Sequence, residues 1–121
     1  MQHCILIAED DAILRFTLSS AISSAGYHVI EAEDGDVALQ RAAEFDGSIR
    51  VLVTDIRMPR MDGHEVSRRI KEARPDIKII VVSAHHAAHF PRDAPCPDCS
   101  LVKPVYPHVV IRKIKEMLGE G

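Results

Sequence analysis

Acidic, hydroxyl and ammonium side chains recur where apolar runs of this sequence end. Glu9, Asp10 and Asp11 follow CILIA, Asp55 follows RVLVT, Ser83 closes IKIIVVS, and Lys103-Pro104 closes SLVKP. If the first and third of these runs lie side by side, two carboxylates of the Glu9–Asp11 group sit near Asp55. Anions so close repel one another and raise each other's pKa unless a cation is present. A hard divalent cation is the natural remedy: magnesium takes oxygen ligands in near-octahedral geometry, using a few carboxylates and retaining several waters. Lys103 adds an ammonium and Ser83 a hydroxyl. That set suits a tetrahedral phosphoryl group on Asp55, with magnesium on one oxygen, Lys103 on another and Ser83 on a third. Phosphoryl transfer needs little beyond such positioning and charge neutralisation.

A second constellation competes for attention. HHAAHFPRDAPCPDC, residues 85–99, places His85, His86, His89, Cys96 and Cys99 at short spacings. The residue types suit zinc. A single Cys-x-x-Cys needs matching geometry before it counts as a site, and the seven histidines are scattered along the chain. Cys96 and Cys99 could equally form a free dithiol or a disulfide.

These side chains must be positioned by a fold. The chain has 121 residues, enough for one domain with its own core. A net charge of −3 gives no electrostatic case for nucleic acid. No apolar run approaches a membrane span, and no basic segment precedes the first apolar run, so a cytoplasmic protein is expected. Three cysteines make an odd count, which argues against a secreted disulfide framework, and Cys4, inside an apolar run, reads as a buried small residue.

Short apolar runs alternate with helical patterns. CILIA, YHVIEA, RVLVT, IKIIVVSA and SLVKP read as strands, the second nearer an edge because it is less apolar. Helical spacing follows the first strand (Leu14, Leu18, Ala21, Ile22, Ala25, with Gly26 as the stop), the second (Val37, Ala38, Ala42) and the third (HEVSRRIKEA, ended by Arg74-Pro75). It returns in HVVIRKIKEML, with Val109, Ile111, Ile114 and Leu118 as expected core contacts. Asp11 falls at a helix start, where a carboxylate caps free N–H groups. Pro59 and Gly63 fit a turn and a helix start after Asp55. The alternation predicts an α/β fold: a doubly wound five-stranded parallel sheet with helices on both faces. In such a sheet the functional crevice lies at the carboxyl ends of the strands, where the acids, Ser83 and Lys103 are found. One helix is badly written. Between the fourth and fifth strands, Pro91, Pro95 and Pro97 interrupt the segment, and each interior proline costs a helix roughly 3 kcal/mol. An irregular or shortened helix is expected there.

ILIAEDD, VLVTDIRMPRMDG, IIVVSA and LVKP, in this order and at this spacing, resemble the receiver domain of two-component response regulators. The resemblance spans nearly the whole chain and implies a single receiver domain over residues 1–121, with 119–121 a tail, and the flavodoxin-like strand order 2-1-3-4-5. It implies that Asp55 is the phosphoacceptor, charged from a phosphohistidine on a sensor histidine kinase or histidine phosphotransfer protein, and that a downstream protein partner reads the result. It implies Mg2+ held by an acidic pair of the first loop, by Asp55 and by the backbone carbonyl of Arg57. The family places the pair after four apolar residues, here Ile5 to Ala8, which selects Glu9 and Asp10 over Asp10 and Asp11. Ser83 and Lys103 would contact the phosphoryl group, the Lys103-Pro104 bond would be cis, and Arg57 and His85 would border the site and tune dephosphorylation. The protein would assist its own phosphorylation and dephosphorylation rather than act as a conventional enzyme.

One position departs from the family. The residue three before the lysine, usually aromatic, is Ser100; Tyr106 lies on the other side of Lys103. The departure and the proline-broken helix motivate a second reading, a phosphorylation-independent interaction module, which the intact acids, Ser83 and Lys103 weigh against. A zinc or redox sensor built on residues 85–99 is the third.

Overall fold

A computed structural model describes residues 2–84 and 94–120. Five strands, β1 (Cys4–Ala8), β2 (His28–Ala32), β3 (Ile49–Asp55), β4 (Lys78–Ser83) and β5 (Cys99–Val102), form one parallel sheet in the order β2-β1-β3-β4-β5. Among the described residues there are four helices, α1 (Ala12–Ser24), α2 (Gly35–Glu44), α3 (Gly63–Ala73) and α4 (Pro107–Met117). None is long and apolar enough to cross a membrane. The helix expected between β4 and β5 falls largely on residues 85–93, outside the described residues.

The sheet is sealed on both faces, which is why its central strands read as continuous apolar runs. Successive side chains point to opposite sides. Cys4, Leu6, Ala8 and Leu52 pack with Ala38 and Ala42 of α2 and Val66 and Ile70 of α3. Ile5, Ile7, Val51 and Val53 pack with Leu18 and Ile22 of α1 and Val110 and Ile114 of α4. The β1–β3 pairing skips one residue, passing from Cys4–Ile49 to Ile5–Val51. Arg50 is the residue left over, and the bulge lets Ile49 and Leu52 share a face despite their odd and even numbers.

Local signals start the helices. Asp11 accepts from the Ile13 and Leu14 amides (3.0 and 3.2 Å), Asp34 from Val37 (2.9 Å) and Asp62 from Glu65 (3.0 Å), each satisfying N–H groups that a helix start leaves unpaired. Pro107 opens α4, where its missing N–H costs nothing. Gly26, at φ +102°, turns the chain after α1.

The stripe on α4 corrects one expectation. Val110, fully buried, takes the place foreseen for Val109, which is half-buried. The helix begins at Pro107 with a phase that points Val110 and Ile114 at the sheet, flanked by Ile111, Met117 and Leu118. Ile114→Ala is therefore expected to lower stability by about 3 kcal/mol and Val109→Ala by less than about 1 kcal/mol. Urea denaturation of the two variants checks the ordering, and equal losses would contradict this packing.

Candidate functional site

Parallel register brings the chemistry to one edge. Ala8 lies opposite Thr54, Asp55 opposite Val82 and Ser83 opposite Val102. The residues at or just beyond the carboxyl ends of β1, β3, β4 and β5 are thus Glu9, Asp55, Ser83 and Lys103. Glu9 and Asp55 continue the parity that faces α1 and α4, as does Lys103 after Cys99 and Leu101.

Glu9 and Asp55 are both buried, 2 % and 6 % exposed. The Lys103 Nζ lies 2.7 Å from Asp55 Oδ2 and 3.6 Å from Glu9 Oε1. The other Asp55 oxygen accepts from the Arg57 amide at 3.2 Å. Glu9 Oε2 accepts from the Asp11 amide at 3.0 Å, and the Glu9 carbonyl accepts from Arg15 Nη1 at 2.7 Å. Asp10 stands exposed at the rim. Carboxylate oxygens of Glu9, Asp10 and Asp55 all lie within 4.8 Å of one another, the one such cluster of possible metal ligands among the described residues. Ser83 is buried at the end of β4, and its carbonyl accepts from the Lys103 amide at 2.7 Å. The Lys103-Pro104 peptide is cis.

One ammonium thus faces two buried carboxylates and a third at the surface. Burial, with the neighbouring Asp55 charge, pushes the Glu9 carboxyl up from 4.5 to about 7, against the opposing Asp11 N–H and Lys103 charge. Burial by itself would lower the Lys103 pKa, but the bond to Asp55 and the charges of Glu9 and Asp55 outweigh it and raise the value. Three hard oxygen donors converging on a pocket short of positive charge, one of them open to solvent, are the ligand chemistry that magnesium takes.

The response regulator receiver domain model matches residues 5–114. The chain belongs to this family. It is 39% identical to the response regulator receiver protein CpdR of Brucella abortus over 94% of this chain and 95% of that protein. It is 36% identical to the sensor kinase CckA of the same organism, again over 94% of this chain but only 12% of the kinase. Among solved structures, a CheY-like receiver domain protein of Methanospirillum hungatei superposes with TM-score 0.88 at 26% identity, covering 99% of this chain and 96% of that one. The response regulator TrrA of Thermotoga maritima, solved in complex with Mg2+ and beryllium fluoride, superposes with TM-score 0.81 at 28% identity, covering 96% and 99%. The protein is a receiver of two-component signalling. Receiver domains bind Mg2+ at an acidic pocket and interact with histidine kinases or phosphotransfer proteins.

In this receiver, Glu9, Asp10, Asp55 and Lys103 come together, with Ser83 on the adjacent strand end. Arg57 meets the site through its amide, and its side chain is exposed. Asp11 caps α1, which accounts for it without metal. His85 lies outside the described residues, as do His86 and His89 of the zinc reading. Cys96 is exposed, Cys99 half-buried, and both are free thiols.

Two further contacts support the site, one at the helix start expected for Gly63 and one that the sequence reading missed. Gly63 starts α3 so close to the end of β3 that a Cβ there would stand 2.1 Å from the Asp55 carbonyl oxygen, and its amide donates to Ile56 O at 2.7 Å. Arg60, in the left-handed region at φ 68°, is hydrogen-bonded to the buried Asp34 carboxylate and lies 3.4 Å from Asp36. Beside it, a Cβ on Gly35 would press on Val66 and Met61 at 2.7 and 2.9 Å. The loop after Asp55 is thereby latched to the start of α2. Asp34 carried a signal, an acid before a helical run. Arg60 carried none, because its partner lies 26 residues away.

The raised Glu9 value has a sign. A carboxyl that holds its proton more tightly when folded stabilises the protein fully below pH about 4.5 and loses that contribution as pH rises through about 7. In chelator-containing buffer, Glu9→Gln should raise the melting temperature relative to wild type more at pH 8 than at pH 5. Thermal melts at the two values check this, and an equal or reversed difference would contradict the burial of an anionic Glu9.

Proposed function

We propose that Asp55 is the phosphoacceptor of this receiver and that residues 1–121 form one switch domain acting in the cytoplasm. The observation that carries the reading is the 2.7 Å contact of Lys103 with a buried Asp55, inside a three-carboxylate cluster. An Asp55 carboxylate oxygen attacks the phosphorus of a phosphohistidine. The new O–P bond forms as the N–P bond breaks, and the released imidazole takes up a proton. The Arg57 amide holds the other Asp55 oxygen, while Lys103 shifts from the carboxylate to a phosphoryl oxygen and the Ser83 hydroxyl donates to another. Glu9, Asp10, Asp55 and the Arg57 carbonyl would hold Mg2+, which would supply the remaining charge neutralisation. We assign the tuning of the acyl phosphate's lifetime to the residues two past Asp55 and two past Ser83 in the sequence, Arg57 and His85.

The donor is a protein, and α1 offers a surface for it. Ile13 and Phe16, one turn apart, are 80% and 69% exposed on the helix that begins beside Asp10 and Asp11. Large apolar side chains so exposed at the mouth of a reactive site suit a partner helix that presents its histidine to Asp55.

Incubation with acetyl phosphate, followed by intact-protein mass spectrometry, tests the reading. Wild type should gain one phosphoryl group in the presence of Mg2+ and lose that gain with chelator, while Asp55→Asn should gain nothing. No gain in wild type, or an undiminished gain in Asp55→Asn, would overturn it. Phe16→Ala should label normally with acetyl phosphate but about tenfold more slowly from a phosphorylated histidine phosphotransfer protein.

A further inference from the structure

A cleft of about 1030 Å³ opens at the amino ends of β1, β2 and β3, the edge of the sheet opposite Asp55. Its floor is apolar: Cys4, Ile49 and Ile77 are each less than 5 % exposed. On its wall the His28 and Phe45 rings stack, centroids 5.8 Å apart and planes 18° from parallel. His28 itself is exposed.

The charge there is unusual for a chain of net charge −3. Two arginines line the cleft against one acid, Asp76. Arg74 donates to the carbonyls of Gly47 (2.8 Å), Ala42 and Phe45 (both 2.9 Å), acceptors that fix its guanidinium without cancelling its charge. Its field reaches the floor, where it opposes the burial that pushes the Cys4 thiol up to about 11. Arg50 is the residue that the β1–β3 register skips, and a bulge of this kind re-aims a side chain out of the ladder. It touches the His3 ring at 3.2 Å. Among the described residues, neither arginine is paired to a carboxylate.

We propose that this cleft binds a nucleotide, with the planar base against the exposed His28–Phe45 ring pair and the phosphate on Arg50 and the spare N–H groups of Arg74. The size fits a small-molecule site, an apolar floor with a few convergent polar groups is the usual build, and guanidinium matches phosphate in geometry as well as charge. A simple anion would use the arginines but neither the apolar floor nor the ring. The site lies at the far end of the sheet from Asp55 and owes nothing to phosphorylation.

Isothermal titration calorimetry with AMP and GMP tests the inference, with adenosine, guanosine and inorganic phosphate as controls. At least one mononucleotide should bind and outcompete inorganic phosphate, Arg50→Ala should weaken it at least about tenfold, and Asp55→Asn should leave it unchanged. Amide NMR shifts should map to His28, Gly47 and Arg50. Arg50 is exposed and holds no carboxylate, so its variant keeps the fold, and a thermal melt verifies that. No binding of either mononucleotide, inorganic phosphate binding as tightly as the nucleotide, or an unchanged affinity in Arg50→Ala would each overturn it.

Discussion

Two carboxylates, Glu9 and Asp55, are buried against a single ammonium at the carboxyl edge of the sheet. That imbalance is the constraint on which the site depends. Burying charge is costly unless it is paired and hydrogen-bonded. Here Lys103 bridges both acids, backbone amides of Asp11 and Arg57 hold the outward oxygens, and the remaining deficit is left for a cation. A parallel sheet covered on both faces makes the arrangement possible, because all its strands end at one edge and its core needs no polar residue there.

The rest of the edge is built to keep the loop after Asp55 in place. Gly63 permits the close approach of α3 to β3, Arg60 ties that loop to the buried cap of α2, and Gly35 lets the two helix starts touch. The other side of the site is less conventional. Ser100 on β5 is exposed, and Tyr106, the aromatic beyond Lys103, is 59 % exposed and stacked on His108 with centroids 6.0 Å apart. Position 100 thus sets no aromatic ring on β5 beside the site.

The strand runs were legible because strands sealed on both faces must be apolar throughout, whereas their order was implied only by the family resemblance that the strand-end motifs carry. Glu9, Asp10, Asp55 and Lys103 were legible because residues that end parallel strands share one edge whatever their separation in the chain. The Asp34–Arg60 latch was not, since nothing in PRMDG names its partner. Val110 was missed because an apolar pair, Val109-Val110, leaves helical phase open by one residue until the helix start is known. The cleft at the amino ends depends on a bulge at Arg50, a register feature with no local signature.

Burial raises the Glu9 carboxyl to about 7, so a divalent cation that takes this carboxylate near neutrality must displace part of a proton. Calorimetric Mg2+ titrations in buffers of different ionisation enthalpy measure the protons released on binding. At pH 6, below the value of about 7 that burial gives Glu9, binding should release a substantial fraction of one proton, and at pH 8.5 almost none. Magnesium binding with no linked proton at pH 6 would contradict it.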